Sequence, residues 1–200
     1  MTKTKSALAP GDWIVHFFCG VGQVRGTEHK SIGGKENHYY RMEMLDSTVW
    51  YPVDAVIGEG VRELSDRYEF QLAIEALKEE PEEMSTNISI RRGQISKVLS
   101  DNTPVSTARM IRDLWERHES HGSINQTESH AFRSLCNRLI QEWALCEGIM
   151  IEEANNELQQ MIRADHGGGE FTPGPIEKRR MKEQDRLLDK LISWGAAREG

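Results

Sequence analysis

Residues 10–24 of the chain are PGDWIVHFFCGVGQV, two short apolar runs separated by a turn that ends at Gly20. Similar runs recur at 39–44 and 48–53, again bounded by glycine or by small polar residues. Runs this short are typical of strands joined by tight turns, because glycine tolerates the positive φ that such turns need. Four or five short strands within about fifty residues predict a small SH3-like or OB-like β-barrel over residues 1–62.

A different pattern begins after residue 62, where the apolar residues take helical spacing. Ser65 is suited to cap a helix, and Pro81 ends that helix because proline cannot continue its hydrogen bonds. The predicted apolar face of the helix consists of Tyr68, Leu72, Ala76 and Leu77. The segment 63–84 is therefore predicted to be an acidic connecting helix that leads into a polar hinge at residues 81–88.

Residues 85–165 contain four further apolar stripes at helical spacing. The first spans about 89–99, and the second follows Thr103-Pro104, a strong helix start because threonine caps the free amides and proline fits the first turn. The third begins near Asn125 or Thr127, and the fourth ends the segment. Together the stripes predict the inward faces of a compact all-helical domain.

The chain ends with two segments of contrasting composition. Residues 166–175 are HGGGEFTPGP and predict a linker, because glycine and proline are the strongest helix breakers. Residues 176–200 predict one extra amphipathic helix, whose start carries four basic side chains. A helix of this length is marginal alone, so it requires a partner surface.

Composition and missing motifs exclude several classes of function. The chain has 200 residues and a formal net charge of -7. No run approaches the roughly 18 apolar residues of a membrane helix, and the N-terminus lacks a secretory signal, so we expect a cytoplasmic protein with no membrane partner. The motifs for phosphate cradling, acyl transfer and metalloproteolysis are absent, and the three cysteines are scattered. We therefore expect neither an enzyme nor a cofactor or metal site.

Short motifs recur in a recognisable order along residues 9–163. The N-terminal ones are Pro10-Gly11-Asp12, Ile14-Val15, Gly20-Val21-Gly22, Ile32-Gly33-Gly34, Tyr39-Tyr40, Tyr51-Pro52-Val53 and Gly60-Val61-Arg62. The helical ones are Ala108, Ile111-Arg112-Asp113-Leu114-Trp115, Arg117 and residues 135–142. Each motif is weak alone, but in this order and spacing they resemble the CarD family of bacterial RNA polymerase-binding transcription regulators.

The resemblance implies an α+β protein of two domains. Its N-terminal domain is expected to be an SH3-like or Tudor-like barrel, shared with the transcription-repair coupling factor, that docks on the β subunit of RNA polymerase. Its helical domain is expected to reach promoter DNA at the upstream edge of the transcription bubble and to stabilise the open complex. We expect the protein to act as a monomer.

The resemblance also locates the polymerase contact on one exposed barrel strand, which pairs edge to edge with the partner. The matching residues are Thr48, Val49, Trp50 and Tyr51, together with Lys30 on the neighbouring turn. Because a strand alternates its faces, only one of Trp50 and Tyr51 points outward, and the other belongs to the barrel core. We expect Trp50 to be the contact.

The predicted DNA-facing element departs from the family pattern. The family usually presents a tryptophan before a basic pair, as a wedge in the minor groove, and here Ile88 stands at that position before Arg91 and Arg92. An isoleucine can press on an unstacked base step but cannot stack like indole, so we expect a weaker effect on DNA. Arg91, Arg92 and Lys97 are predicted to contact phosphates. The alternatives are that Ile88 is a core residue and that the basic residues form a solvated helix face.

Charge is distributed unevenly along the chain. Residues 63–84 carry eight acidic and two basic side chains, and residues 119–165 carry eight and three, whereas residues 85–118 carry three acidic and six basic ones. This local excess of positive charge predicts weak binding to free duplex and activity only in complex with polymerase. The alternative function is a polymerase-bound adaptor that recruits another protein without significant DNA contact.

Overall fold

The computed structural model describes residues 7–166 apart from Asp46, residues 56–59 and Ser123, with side chains described up to Ile162. The strands are β1 Trp13–His16, β2 Gly20–Ile32, β3 Lys35–Met44, β4 Thr48–Pro52 and β5 Val61–Glu63. The helices are α1 Arg67–Lys78, α2 Ile88–Asp101, α3 Pro104–His121, α4 Gln126–Glu147 and α5 Ile151–His166. The predicted α+β class, with strands before helices, is confirmed. The predicted linker beyond its first residue and the predicted helix at 176–200 lie outside the described residues.

All five described strands form one antiparallel sheet in the order β4-β3-β2-β1-β5. The prediction of uniformly short strands is wrong for β2 and β3, which have 13 and 10 residues and form a long hairpin. Their outer halves are polar and exposed, so no apolar run in the sequence marks them. Gly33 and Gly34 make the hairpin turn, and both have positive φ.

The sheet has its own hydrophobic core on one face. It is built from Leu8, Ile14, Val24, Tyr40, Met42, Met44 and Val61. A β-bulge lies between Val24 and Gly26 of β2, where the strand leaves the core and enters the exposed part of the hairpin.

The helices enclose a second core, and α1 belongs to it. Phe70, Ala73, Ile74, Ala76 and Leu77 of α1 are buried there, so the predicted connecting helix is an integral part of the helical domain. The predicted inward face was wrong in two places, because Tyr68 is 74% exposed and Leu72 is 39% exposed. The N-cap is Asp66 rather than the predicted Ser65.

Helix ends agree more closely with the sequence. Thr103 caps α3 and Pro104 occupies its first turn, as predicted. Asn125 caps α4 in a reciprocal capping box with Glu128, which resolves the choice between Asn125 and Thr127. Helix α2 is capped at its C-terminus by Asn102, which has a positive φ of 52° and whose backbone N–H donates to the Val98 oxygen.

Candidate functional site

The first candidate surface is the outer edge of β4. This strand pairs with β3 on one side, and no described strand pairs with its other side. An open edge of this kind presents backbone donors and acceptors that another chain can pair with. The edge is five residues long, Thr48–Pro52, and contains all four predicted β4 contacts.

Side chains of β4 alternate between the two faces of the sheet. Val49 and Tyr51 pack against the sheet core, so they stabilise the fold. Trp50 lies on the opposite face, directly across from the exposed Arg41 of β3. Of the two aromatic residues, Trp50 is therefore the one available to a partner that pairs with the edge.

Two residues of β2 hold the indole of Trp50. Its Nε1 donates a hydrogen bond to Glu28, and the ammonium of Lys30 lies 2.9 Å from the centroid of its ring. A cation over an aromatic face is attracted by the ring quadrupole. Lys30 was predicted to lie on a turn, but it lies within β2, where the long hairpin brings it over the tryptophan. Glu28 was not predicted, because the sequence does not show which strand crosses Trp50.

The second candidate surface is the N-terminal corner of α2. Ile88 is the first helical residue and is 49% exposed, so the alternative that it is a core residue is not supported. Asn87 caps the helix by accepting a hydrogen bond of 2.9 Å from the backbone N–H of Ser89. Ile90 is 53% exposed and was not predicted. Two exposed isoleucines within one helical turn make this corner unusually apolar for a surface.

Arg91 does not face solvent, contrary to the prediction that it contacts phosphate. Its side chain is buried, and its Nε donates to Glu128 Oε1 of α4 at 2.6 Å. Its Nη1 donates to the carbonyl oxygens of Ser85 and Thr86, both at 2.8 Å. The guanidinium therefore joins the hinge, α2 and α4, and it has a structural role.

Arg92 and Lys97 remain as basic residues on the exposed surface of α2, and neither makes an ion pair within the described part of the chain. Arg92 is one turn from Ile88 and lies on the same side of the helix. Lys97 lies about 140° further around the helix axis, at about 100° per residue. The exposed Gly93 follows Arg92 in the helix, and a methyl group added there would have no atom within 4 Å.

Two more of the basic residues of this region, Arg109 and Arg112, are paired with acidic neighbours. Arg109 and Arg112 each lie 3.2 Å from Glu79, and Arg112 also pairs with Asp113. The hydrogen bond and charge of Arg109 hold the pKa of Glu79 below its usual value. Of the six basic residues in 85–118, three are therefore paired with acidic residues, namely Arg91, Arg109 and Arg112. The charge count from the sequence overstates the positive charge that is free to contact phosphate.

The described residues contain neither a metal-binding cluster nor a membrane-spanning helix. Among them, no group of three or more His, Cys, Asp or Glu side chains could hold a metal ion. No helix within residues 7–166 is both long enough and apolar enough to cross a membrane.

Two family models match consecutive regions of the chain. Residues 8–64 match the CarD-like/TRCF RID domain, where RID denotes the RNA polymerase-interacting domain. Residues 72–159 match the CarD C-terminal domain. A search of curated proteins found no match. The two matched regions follow each other along the chain, and the first contains β4 while the second contains α2.

Proposed function

Because the chain belongs to the CarD family of RNA polymerase-interacting transcription regulators, we propose that it binds the β subunit through the edge of β4 and presents the α2 corner to promoter DNA. In this proposal the corner lies at the upstream edge of the transcription bubble and stabilises the open complex. The protein acts by binding rather than by catalysis, as a monomer in the cytoplasm, where polymerase is found.

The polymerase contact is supported by the open edge of β4 and by the outward position of Trp50. A partner strand that pairs with this edge gains backbone hydrogen bonds from Thr48–Pro52. Glu28 and Lys30 hold the indole in one orientation before the partner arrives, which reduces the entropy lost on binding. Aromatic side chains fixed in this way commonly contribute most to the affinity of an interface.

The DNA contact is supported by one observation above all, the exposure of Ile88 at the first residue of α2. An apolar side chain in this position can enter the minor groove where base steps are already unstacked. Arg92 lies one turn behind it on the same side and can contact a phosphate. With only Arg92 and Lys97 available on α2, the corner binds free duplex weakly and depends on polymerase for its location.

Stabilisation of the open complex requires stronger binding to the open state than to the closed state. The duplex is intact in the closed complex, so Ile88 finds its wedge site only after the strands separate. Coupling of this kind commonly amounts to about 1–3 kcal/mol, or roughly a 5- to 150-fold shift in an equilibrium.

The test compares open-complex lifetimes at one promoter with wild type, Ile88→Ala, Arg92→Ala and Trp50→Ala. We expect wild type to lengthen the lifetime and Ile88→Ala and Arg92→Ala to shorten it, while both variants keep wild-type affinity for polymerase. Trp50→Ala is expected to lose about tenfold or more in polymerase affinity. Ile90→Ala is the matched control for Ile88→Ala, because Ile90 is similarly exposed but lies on another side of α2.

A second candidate function is a polymerase-bound adaptor that recruits another protein. It is favoured by the burial of Arg91 and the pairing of Arg109 and Arg112, which leave little free positive charge. If this function is correct, affinity for a forked DNA does not depend on salt and Ile88→Ala retains the wild-type lifetime. Phosphate contacts instead predict affinity that falls as salt rises.

A further inference from the structure

Two kinds of contact join the sheet and the helical domain. Trp13 and Leu45 pack against the helical core, and five polar side chains, buried or largely buried, make hydrogen bonds across the junction. The polar residues are Arg62, Asn102, Arg138, Gln141 and Glu142, and we call them the interdomain cluster. Arg62 belongs to β5, Asn102 caps α2, and the other three lie on α4. None of them belongs to either candidate surface described above.

An ion pair lies at the centre of the interdomain cluster. Arg62 donates to both carboxylate oxygens of Glu142, with Nη1 to Oε1 at 2.7 Å and Nη2 to Oε2 at 2.6 Å. Glu142 Oε1 also accepts from the backbone N–H of Ser65 at 3.1 Å, and Arg62 Nε donates to the backbone oxygen of Asn102. A bidentate pair of this kind fixes the relative orientation of two planar groups as well as their distance.

The other members bind the backbone of the first two strands and of the turn between them. Asn102 Nδ2 donates to the Val15 oxygen at 3.1 Å, and Arg138 Nη1 donates to the Phe17 oxygen at 3.0 Å. Gln141 Oε1 accepts from the Val21 N–H at 3.2 Å. The sheet is thus held at three separate points by side chains of the helical domain.

Such an interface permits one relative orientation of the domains. The apolar contacts are not directional, whereas a buried charge or amide that loses its partner is costly. Burial lowers the pKa of Arg138 to about 10, so the side chain remains charged at neutral pH and requires its acceptors. Gly20 reinforces this restriction, because a methyl group there would collide with the Gln141 side chain.

Helix α2 transmits this orientation to the DNA-facing corner. Asn102 of the cluster caps one end of the helix and Ile88 begins the other, 14 helical residues away. A helix of that length spans about 20 Å, so a tilt of about 10° at Asn102 displaces Ile88 by about 3–4 Å. A displacement of this size is comparable to the spacing of adjacent base pairs.

We propose that the interdomain cluster is a positioning site, which holds the Ile88 corner at a fixed location relative to the β4 edge so that polymerase and DNA are bound together. This inference rests on the proposed function. Arg62, Glu142 and Arg138 contact neither partner. They act indirectly. Once β4 is bound to polymerase, the Ile88 corner meets DNA at high effective concentration only when the two domains have the correct relative orientation.

The test uses the full chain with Glu142→Gln, which removes the charge and keeps the shape, and with Arg62→Lys, which keeps the charge and removes the bidentate bond. Glu147→Gln is the matched control, since Glu147 lies on the same helix and pairs with the exposed Arg67. Three properties are measured: domain tumbling by ¹⁵N relaxation, polymerase affinity, and open-complex lifetime. We expect both cluster variants to show more motion between the domains than wild type, to keep polymerase affinity within about twofold, and to lose most of the gain in lifetime.

Two outcomes overturn the positioning role. One is increased motion between the domains with a wild-type lifetime, and the other is a shortened lifetime in a variant whose interdomain motion equals that of wild type. Failure of the proposed function is distinguished by Ile88→Ala in the same assay. If Ile88→Ala shortens the lifetime and the cluster variants do not, the DNA contact stands and only the positioning role is rejected. Arg62→Lys keeps the test decisive if Glu142→Gln does not fold.

Discussion

Two buried arginine–glutamate pairs in this protein have the same chemistry and different locations. Arg91 pairs with Glu128 inside the helical domain, and Arg62 pairs with Glu142 between the domains. Each contains a bond of 2.6 Å. The side chains of the first pair are 3% and 1% exposed, whereas those of the second are 19% and 2% exposed, so Arg62 alone reaches water.

The first pair organises a local corner. Glu128 accepts from Arg91 and also closes the capping box of α4 by accepting from the Asn125 N–H at 3.2 Å. Arg91 in turn binds two carbonyls of the hinge. The second pair joins segments 80 residues apart in sequence. Thus a fully enclosed pair maintains the fold of one domain, and a partly hydrated pair maintains the orientation of two domains.

The largest expected effect comes from breaking the enclosed pair. Glu128→Ala leaves Arg91 buried without a counter-ion and removes the capping box, so we expect a loss of about 3–5 kcal/mol in the free energy of unfolding. Denaturant unfolding followed by circular dichroism measures it. Glu147→Ala breaks an exposed pair and is expected to cost about 0–1 kcal/mol. A cost for Glu128→Ala as small as that of the control contradicts the structural role of Arg91.

A smaller effect is expected from the interdomain pair. In Glu142→Ala the Arg62 guanidinium can turn toward water, so the penalty of an unpaired charge is partly relieved and we expect a loss of about 1–3 kcal/mol. The loss is measured by the same denaturant series, with tryptophan fluorescence as a second probe. If Glu142→Ala costs as much as Glu128→Ala, hydration of Arg62 does not relieve the lost pair, and the distinction between the two pairs is wrong.

The local features of the fold were predictable, because they depend on neighbours in sequence. Thr103-Pro104 starts α3 because threonine caps the first turn and proline fits it, and the alternation of β4 restricted the outward aromatic residue to one of two. The burial of Arg91 was also partly predictable from the sequence. It lies four residues before the buried Ile95, on the inward stripe of α2, whereas Arg92 lies about 100° around the helix. The helical spacing therefore distinguishes the buried Arg91 from the exposed Arg92, although the two are adjacent in the sequence.

The remaining features depend on partners that are distant in sequence. The polar hairpin of β2 and β3 extends past the core because its strands pair with each other, and no apolar periodicity marks it. The interdomain cluster joins Arg62 to a glutamate of α4, and the Trp50 indole is held by residues of another strand. The sequence does not show which distant residues pair with each other, so these contacts are identified only in the folded structure.

The smallest expected effect is a pH dependence at the edge of the interdomain cluster. His16 Nδ1 accepts hydrogen bonds from the backbone N–H groups of Phe18 and Cys19, at 3.2 Å and 3.1 Å, and so holds the turn whose Phe17 oxygen binds Arg138. Burial lowers the pKa of His16 below its usual value. The unfolded chain therefore binds the proton more readily, and stability falls as the pH drops below about 6.5.

His16→Asn keeps an acceptor in the turn and removes the titrating group, so it isolates this contribution from those of the other histidines. Between about pH 7.5 and pH 5.5 we expect the free energy of unfolding to fall further in wild type than in His16→Asn. This difference is expected to be smaller than the loss caused by Glu128→Ala or by Glu142→Ala. Denaturant unfolding at the two pH values measures the difference. Equal losses in the two proteins show that His16 is protonated as readily in the folded turn as in the unfolded chain. Because protonated His16 can no longer accept these bonds, acid weakens the turn beside the interdomain pair.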